Sequence, residues 1–237
     1  MKIFISFVSL MGLLLVVLPG PLYKYGIVDL GTAFAGFSLA MLAGGAALIM
    51  LLLQALFKRH TLSFRTTIIT MLLASSSILI PLTMLHKAKS VPPIHDISTD
   101  LTNPPKFVAI IPLRADAPNP ATYSGTESAA QQRVAYPDLS TLSYPQSKST
   151  LLKACEQAAS SLDWELVVID ADTGIVEATD TTPWFGFQDD VVIRITDAGS
   201  KRLVDIRSKS RIGGSDLGKN AERIRRFVKE LDKVLES

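Results

Sequence analysis

Cysteine and histidine are scarce in this chain of 237 residues. Cys155 is the single cysteine, so an internal disulfide is excluded. Its apolar neighbours recur at helical spacing and predict a small core residue, with a reactive thiol as the alternative. His60, His86 and His95 are too scattered to form a structural zinc site. We predict neither a metal site nor a bound cofactor.

Charge is also scarce, but only in the part of the chain before His86. The whole sequence is 48% hydrophobic, with a mean hydropathy of +0.30 and a net charge of +2. This composition is too apolar for an ordinary soluble domain and too charged for a pure membrane bundle. We therefore predict a membrane region over residues 1–86, a Pro- and Ser-rich segment over 87–147 and a soluble core over 148–237.

Three apolar runs predict transmembrane helices over residues 3–18, 31–57 and 66–85. The first is short and also resembles a signal-peptide core. We favour an anchor, because only Lys2 precedes the run and no small-residue cleavage pattern precedes Pro19.

Small residues in the second run recur every fourth position, at Gly36, Ala40 and Gly44. This spacing places them on one helix face and predicts close approach of another helix, including one from a membrane-protein partner. A small-residue helix without a preferred face is the alternative.

Basic residues in the predicted loops indicate the orientation. Four would lie on the side of the N-terminus and three on the other: Lys2, Lys58, Arg59 and Arg65 against Lys24, Lys87 and Lys89. The positive-inside rule then places the N-terminus inside and the soluble domain outside.

The segment from Val91 to Ser147 is rich in Pro, Ser, Thr and Asp. Its one apolar run, Phe107 to Leu113, predicts a strand. We expect the rest to be ordered coil packed on the domain, with a linker around Ala115 to Glu127 as the alternative.

The last ninety residues show the periodicities of an α+β domain. A helix capped by Ser149 is predicted to run to Leu162, and the final helix to begin at about Asp216 with one apolar stripe. Between them, two hairpins are predicted, with strands over 164–169, 175–179, 191–196 and 203–208. We expect an antiparallel sheet of about four to five strands, covered on one face by the two helices.

Several stretches resemble the bacterial domain-of-unknown-function family 1499, in a version with an N-terminal membrane region. They are HDISTD from His95, YPDLSTL at 136–142, WELV at 164–167, EATDTTPWFGFQDDVVIRI at 177–195 and VDIRSKSRIGGSDLGKNAERIRRF at 204–227. The resemblance implies a fold and a membrane-associated bacterial setting, and we expect that membrane to be the cytoplasmic one. It implies no activity, substrate or catalytic residue.

Charge is uneven within the predicted soluble part. Residues 96–190 contain fourteen acidic and five basic side chains, and residues 194–233 contain twelve basic and six acidic ones. We predict internal ion pairs from Asp189 or Asp190 to Arg194, Arg207 or Arg211. Metal binding or acid–base catalysis by the two aspartates is the alternative, although in a strand they point to opposite faces. Without aromatic residues among the arginines, nucleic-acid binding is not expected.

Residues 211–220 form a glycine-rich turn before the final helix, where backbone N–H groups could receive an anion. A tight turn capped by Ser215 or Asp216 is the alternative. Ser208, Ser210 and Ser215 have no histidine after His95 to activate them, which leaves only a Ser–Lys pair with Lys209 or Lys219.

The candidate binding surface consists of the charged strand positions and the turn. Its residues are Asp189, Asp190, Arg194, Asp205, Arg207, Arg211, Gly213, Gly214, Ser215, Asn220 and Arg223. We expect Arg194, Arg207, Arg211 and Arg223 to surround the turn, with at least one free to bind an anionic headgroup or a phosphate-bearing ligand.

The pattern as a whole favours a membrane-anchored binding or assembly module of the cell envelope over an enzyme. The alternative is a small membrane-bound hydrolase or lipid-modifying enzyme that uses Asp189, Asp190 and an arginine. Such an enzyme needs Asp190 and Arg207 to converge in one open cleft, whereas a module would have them paired.

Overall fold

The computed structural model describes residues 2–236, which divide into two compact units. The first unit contains the chain up to Lys89 together with Pro183–Gly186. The second contains Ser90–Thr182 and the chain from Phe187 onward.

The first unit is helical. Its helices are α1 (Lys2–Val17), α2 (Pro19–Lys24), α3 (Leu30–Phe57) and α4 (Phe64–Ser90). At 28 and 27 residues, α3 and α4 are each long and apolar enough to cross a membrane. They contain the second and third predicted spans, whereas α1, at 16 residues, is shorter.

The small-residue face of α3 packs against the chain's own residues. A Cβ atom on Gly44 would lie 2.7 Å from the carbonyl oxygen of Ala74 in α4, and one on Gly36 would lie 3.0 Å from Pro19. The close approach predicted from the spacing therefore occurs between elements of the chain itself.

Pro183–Gly186 adds two aromatic side chains to the helical unit. Trp184 lies with its ring centroid 5.9 Å from that of Phe37, and Phe185 lies 5.9 Å from Phe34. Gly20 makes room for Trp184, since a Cβ there would be 2.6 Å from the indole.

The second unit is built on a six-stranded antiparallel sheet. Its strands are β1 (Asp96–Ser98), β2 (Leu142–Tyr144), β3 (Glu165–Asp170), β4 (Ile175–Thr181), β5 (Gln188–Ala198) and β6 (Lys201–Ser210). The order is β1-β6-β5-β4-β3, and β2 pairs with the beginning of β6 while β1 pairs with its end. Both predicted hairpins, β3–β4 and β5–β6, are confirmed.

One face of the sheet is apolar and carries two helices, α6 (Lys148–Ser161) and α7 (Lys219–Glu236), as predicted. Val191 and Ile193 of β5 lie in this core with Phe227 of α7. Phe227 is fully buried and stacks on Trp164 with a centroid distance of 5.2 Å. Cys155 of α6 lies in the same core, where burial raises the pKa of its thiol to about 12, so the core interpretation fits and a reactive thiolate does not.

The other face is covered by the irregular segment between β1 and a further helix, α5 (Gly125–Ala135). Phe107 and Ile110 from this segment pack against Val192 of β5. The strand predicted over Phe107–Leu113 is wrong. The residues form turns and a 3-10 helix at Pro112–Arg114. The N–H groups of Val108 and Ile110 bond to the Glu177 side chain, and that of Leu113 bonds to Ile110 O, so none of the three pairs with a neighbouring strand.

Some boundaries also differ from expectation. Helix α6 is capped by Ser147, whose side chain accepts from Thr150 N, and not by Ser149. Helix α7 begins at Lys219 and not at Asp216, whose carboxylate accepts from Gly218 N in the turn and from Asn220 N at the start of the helix. Helix α5 and the short strands β1 and β2 carry too little apolar periodicity to have been predicted.

Candidate functional site

The sheet separates the candidate residues into two sets. Asp190, Arg194, Asp205 and Arg207 lie on the face under the irregular segment, since strand neighbours alternate between faces. In the register of β5 and β6, Asp190 is opposite Lys209, Val192 opposite Arg207 and Arg194 opposite Asp205. Asp189 lies on the helix-covered face, where it accepts a hydrogen bond from Arg223 of α7. The expectation that adjacent aspartates would point to opposite faces therefore holds.

Asp190 is fully buried and bound by two arginines. Its carboxylate oxygens lie 2.6 Å from Arg114 Nη1 and 2.8 Å from Arg211 Nη2. Thr179 donates its hydroxyl to Asp190 Oδ1 at 2.7 Å. Arg211 also donates to Gln188 Oε1 at 2.8 Å. The predicted pair between Asp190 and Arg211 is confirmed, and Asp190 has no oxygen left uncommitted for an outside ligand.

A second cluster surrounds Asp96 at the start of β1. Arg207 donates from Nε and Nη2 to its two oxygens at 2.8 and 2.9 Å, and Lys209 Nζ lies 3.1 Å from Oδ2. Burial by itself would raise the pKa of Asp96, but the two cations more than offset it and hold that pKa below its usual value. The Arg207 guanidinium also lies over the rings of Phe107 and Tyr123.

Arg194 joins two carboxylates nearer the surface. Its Nη2 lies 2.8 Å from Asp205 Oδ2 and 2.9 Å from Asp100 Oδ2. Asp205 also accepts from Thr141 at 2.7 Å. This bridge ties β5 and β6 to the loop that follows β1.

The cluster on the helix-covered face belongs to Arg223 of α7. Its guanidinium donates to Asp189 Oδ2 and, at 2.7 Å, to Asp180 Oδ2. It donates to Asn220 Oδ1 at 2.7 Å as well, and Asn220 accepts from Ser208 Oγ at 2.6 Å. The carboxylates raise the pKa of Arg223 against the opposing effect of burial.

The glycine turn holds a carboxylate of its own. Asp216 accepts from Gly218 N and Asn220 N, each at 2.7 Å, at the start of α7. Burial raises the pKa of Asp216, and the backbone donors counteract that rise. Leu217 beside it adopts a left-handed backbone with φ of 56°. An anion at this helix end would have to displace Asp216, which favours the tight-turn alternative.

The expectation that at least one of the four arginines stays free is wrong. Arg194, Arg207, Arg211 and Arg223 each form an ion pair with an aspartate. They also do not surround the turn together, because Arg223 lies on the opposite face of the sheet from Arg194 and Arg207. Tertiary pairing of Arg207 with Asp96, of Arg194 with Asp100 and of Arg223 with Asp180 contributes to this result, and these aspartates lie far away in sequence.

Ser208 and Ser210 do not form a nucleophilic pair with Lys209. Ser208 and Ser210 lie on the helix-covered face, where both bond to Asn220. Lys209 lies between them and faces the other side, where it bonds to Asp96. Asp190 and Arg207 are both almost fully buried and bind different partners, so they do not converge in an open cleft. Within residues 2–236, no group of three or more His, Cys, Asp and Glu side chains is arranged to hold a metal ion.

Two features of the second unit were missed from the sequence. One is Glu177, a buried carboxylate on β4 that accepts from Val108 N and Ile110 N at 2.6 and 2.7 Å. The other is an open groove of about 600 Å³ along α7, here called the α7 groove. Its floor and rim are formed by Leu139, Leu142, Ile224, Val228, Asp138, Arg225, Lys229, Asp232 and Lys233.

The α7 groove combines an apolar floor with a rim of both charge signs. Arg225 donates to both oxygens of Asp138 at 2.6 and 2.7 Å, and Asp232 accepts from Tyr144 at 2.7 Å. Lys229 is exposed beside them. The apolar stripe of α7 in the sequence predicts which side of this helix is buried. The groove forms only because residues 138–142 lie beside the helix, and no local sequence pattern indicates that contact.

Comparison with known protein families gives one match in this chain. The model of a family described as "Protein of unknown function (DUF1499)" matches residues 96–231, which is more than half of the sequence and includes every strand of the sheet. A comparison with curated proteins found no match.

Proposed function

The chain belongs to the DUF1499 family, and we propose that it is a membrane-anchored binding or assembly module of the cell envelope and not an enzyme. The observation that carries this proposal is the pairing of Asp189, Asp190, Arg207 and Arg211 within the fold. Groups that have already satisfied one another in a buried network are poorly placed to exchange protons with a substrate.

The apolar helices α3 and α4 support the anchoring part of the proposal. We propose that α1 forms a third span. The apolar run continues beyond this short helix to Leu18, and close packing against α3 supports its position in the membrane. The loop basic residues Lys58, Arg59 and Arg65 favour a cytoplasmic position for the α3–α4 connection. This arrangement puts the second unit outside the cytoplasmic membrane.

Two reporters test this topology. Alkaline phosphatase fused after the last residue should be active, because that enzyme folds only after export, and green fluorescent protein at the same point should be dark. The same pair fused after His60 should give the reverse result. Active green fluorescent protein at the C-terminus would refute the outside placement.

The α7 groove is the binding surface that we propose. An apolar floor with a charged rim is the usual composition of sites that hold a peptide segment of another protein. Because the rim carries both charge signs, the partner should present apolar side chains flanked by mixed charges and not a single anionic group.

The test is purification of the tagged full-length chain from native membranes in mild detergent, with a matched pair of charge reversals. Lys229→Glu changes the groove rim, whereas Lys153→Glu changes an exposed position on α6. A protein partner should co-purify in constant ratio with the wild type and with Lys153→Glu, but not with Lys229→Glu. Identical co-purification with both variants would contradict the groove assignment.

An anionic headgroup is a second ligand class, and we propose Arg211 for it because this arginine leads directly into the glycine turn. This side chain keeps 15% of its surface exposed although it binds Asp190. In neutral nanodiscs, a water-soluble short-chain phosphatidylglycerol should bind the chain more weakly after Arg211→Ala than after Arg202→Ala, and less tightly at high salt. Equal affinity of the two variants would remove this ligand class.

A further inference from the structure

Exposed apolar side chains cluster at one place in the second unit. Among its described residues, five large apolar side chains are exposed, and three of them lie within six positions of the chain: Val108 at 66%, Ile111 at 52% and Leu113 at 53%. Single exposed apolar residues are ordinary, but a cluster of three marks a surface that another apolar phase covers. We call Val108, Ile111 and Leu113 the apolar tip.

The apolar tip is held by buried interactions, so its exposure is a property of the fold. Its neighbours Phe107 and Ile110 are buried against Val192. Glu177 accepts the N–H groups of Val108 and Ile110, and burial raises the pKa of this carboxyl despite those bonds. A carboxylate kept in such a site is costly, yet its bonds fix a turn whose outward side chains are apolar.

Arg114 fixes the other end of the tip. It donates to Asp190, to the carbonyl oxygens of Lys209 and Ser210, and to that of Asn119. The tip therefore lies near the end of β6. Asp96, the first residue of β1, is paired in register with Lys209. The tip and the point where the chain enters the sheet are thus at the same end of the second unit.

The entry point is close in sequence to an apolar helix. Helix α4 ends at Ser90 and β1 begins at Asp96, which leaves five residues between them. At about 3.3–3.6 Å per extended residue, they span no more than roughly 20 Å. If α4 crosses a bilayer, the sheet end that carries the tip is held within this distance of the end of α4, so the local concentration of lipid is high.

We propose that the apolar tip inserts into the interfacial region of the bilayer that holds α3 and α4, as a second, shallow attachment of the soluble unit. This proposal rests on the membrane anchoring proposed above. Three observations favour a bilayer as the occupant. The five residues after α4 keep the tip close to the membrane, and the tip lines neither the α7 groove nor the pocket next to that groove. Exposed Lys106 precedes the tip and supplies a cation suited to the headgroup layer. The apolar face of an interfacial attachment lies about 5–10 Å into the boundary between headgroups and acyl chains.

The experiment uses the full-length chain in nanodiscs, with Cys155→Ala to remove the native thiol and one new cysteine carrying an environment-sensitive fluorophore. The labelled positions are Leu113→Cys in the tip, Val134→Cys as an exposed control on α5, and Leu42→Cys in the middle of α3. Val134 and Leu42 are 85% and 70% exposed, so labelling should not disturb the fold. Nitroxide groups are placed on the lipid either near the headgroup or near the end of the acyl chain, and iodide is added to the water.

The label at Leu113 should lose most of its emission with the shallow nitroxide and be protected from iodide. The label at Val134 should show the opposite response, and the label at Leu42 should respond to the deep nitroxide. If the label at Leu42 responds and that at Leu113 is quenched by iodide like the one at Val134, the tip proposal fails while anchoring stands. If the label at Leu113 escapes both quenchers, protein covers the tip and the proposal fails as well. If the label at Leu42 does not respond to lipid, the anchoring itself fails and the tip proposal fails with it.

Discussion

The two faces of the sheet in the second unit are both buried, but they are buried by different means. On one face, Val191, Ile193 and Phe227 pack beneath α6 and α7 in an apolar core, to which Arg223 adds one ion-paired cluster. On the other, Asp96 and Asp190 lie beneath an irregular segment, and the contacts are ion pairs and hydrogen bonds to backbone carbonyls. Equal burial therefore corresponds to very different sequence patterns.

The difference follows from the cover. A helix satisfies its own backbone groups, so it needs only an apolar stripe to pack against a sheet. The segment from Thr99 to Ser124 has no such ladder, and its carbonyls and N–H groups must find partners. Arg114, Glu177, Arg207 and Lys209 supply them, which explains why long charged side chains point into the buried space.

The largest effect should come from a charge on the helix-covered face. Phe227→Asp removes a fully buried ring from its stack on Trp164 and places an unpaired carboxylate in the core. We expect a loss of more than about 3–5 kcal/mol in the free energy of unfolding, enough to unfold the second unit. Trp164 fluorescence of the chain in detergent, with Trp184→Phe, reports on this unit.

The control for that change is Val134→Asp, at a position that is 85% exposed. It should leave the denaturation curve within about 0.5 kcal/mol of the parent. Native-like Trp164 emission in the Phe227→Asp chain would mean that the apolar stripe of α7 does not stabilise the fold.

The next effect is expected on the ion-paired face. Asp96→Asn leaves Arg207 and Lys209 buried without their carboxylate and should cost about 3–5 kcal/mol at neutral pH. Asp116→Asn, an exposed position on the same segment, should cost almost nothing. Urea denaturation of the two variants compares them directly.

The cost of Asp96→Asn should depend on pH. The folded-state pKa of Asp96 lies below its ordinary value near 3.8, so ionised Asp96 stabilises the fold fully above that value. The contribution disappears as the pH falls through the folded-state pKa. The difference between wild type and variant should therefore be constant from neutral pH to about 5 and shrink in stronger acid. A difference that grows on acidification would contradict the ion-pair account.

A smaller effect is expected from Glu177→Gln. The amide oxygen can still accept from one of the N–H groups of Val108 and Ile110, but the amide NH2 group then faces the second N–H group. We expect the free energy of unfolding to fall by about 1–3 kcal/mol. The apolar tip should then open, and hydrogen exchange at Val108 and Ile110 should accelerate more than at Val191 in the sheet. Glu156→Gln on the exposed side of α6 is the control. Uniform acceleration in both regions would mean that Glu177 supports the whole sheet and not this turn.

The smallest effect on stability should come from removing a solvent-exposed ion pair. Lys233 lies 3.0 Å from Glu230 on α7, with 74% of its side chain exposed. Lys233→Ala should change the free energy of unfolding by less than about 0.5 kcal/mol, because solvent screens the pair and fixing two long side chains costs entropy. A loss as large as that of Asp96→Asn would remove the distinction between buried and exposed pairs.

The apolar face was predictable residue by residue. Strand alternation at Val191, Ile193 and Ile195 and the stripe through Ile224 and Phe227 gave the hairpins, the helices and their contact before any tertiary information. The charged face gave the correct pair between Asp190 and Arg211, because both lie near the ends of neighbouring strands. The sequence did not predict that Arg114 and Asp96 take part in these ion pairs, since pairing across long sequence separations leaves no local periodicity.

The sequence alone determined the α+β class, the apolar N-terminal helices and the side of each strand that faces α6 and α7, because these depend on short-range periodicity and on hydropathy. Tertiary structure alone decided that the charged face is buried, that no candidate arginine is left unpaired and that Phe107–Leu113 turns instead of forming a strand. The physical reason is the same in each case. An irregular segment is fixed by the partners of its backbone groups, and those partners, such as Glu177 and Arg207, are brought to it only when the sheet has formed.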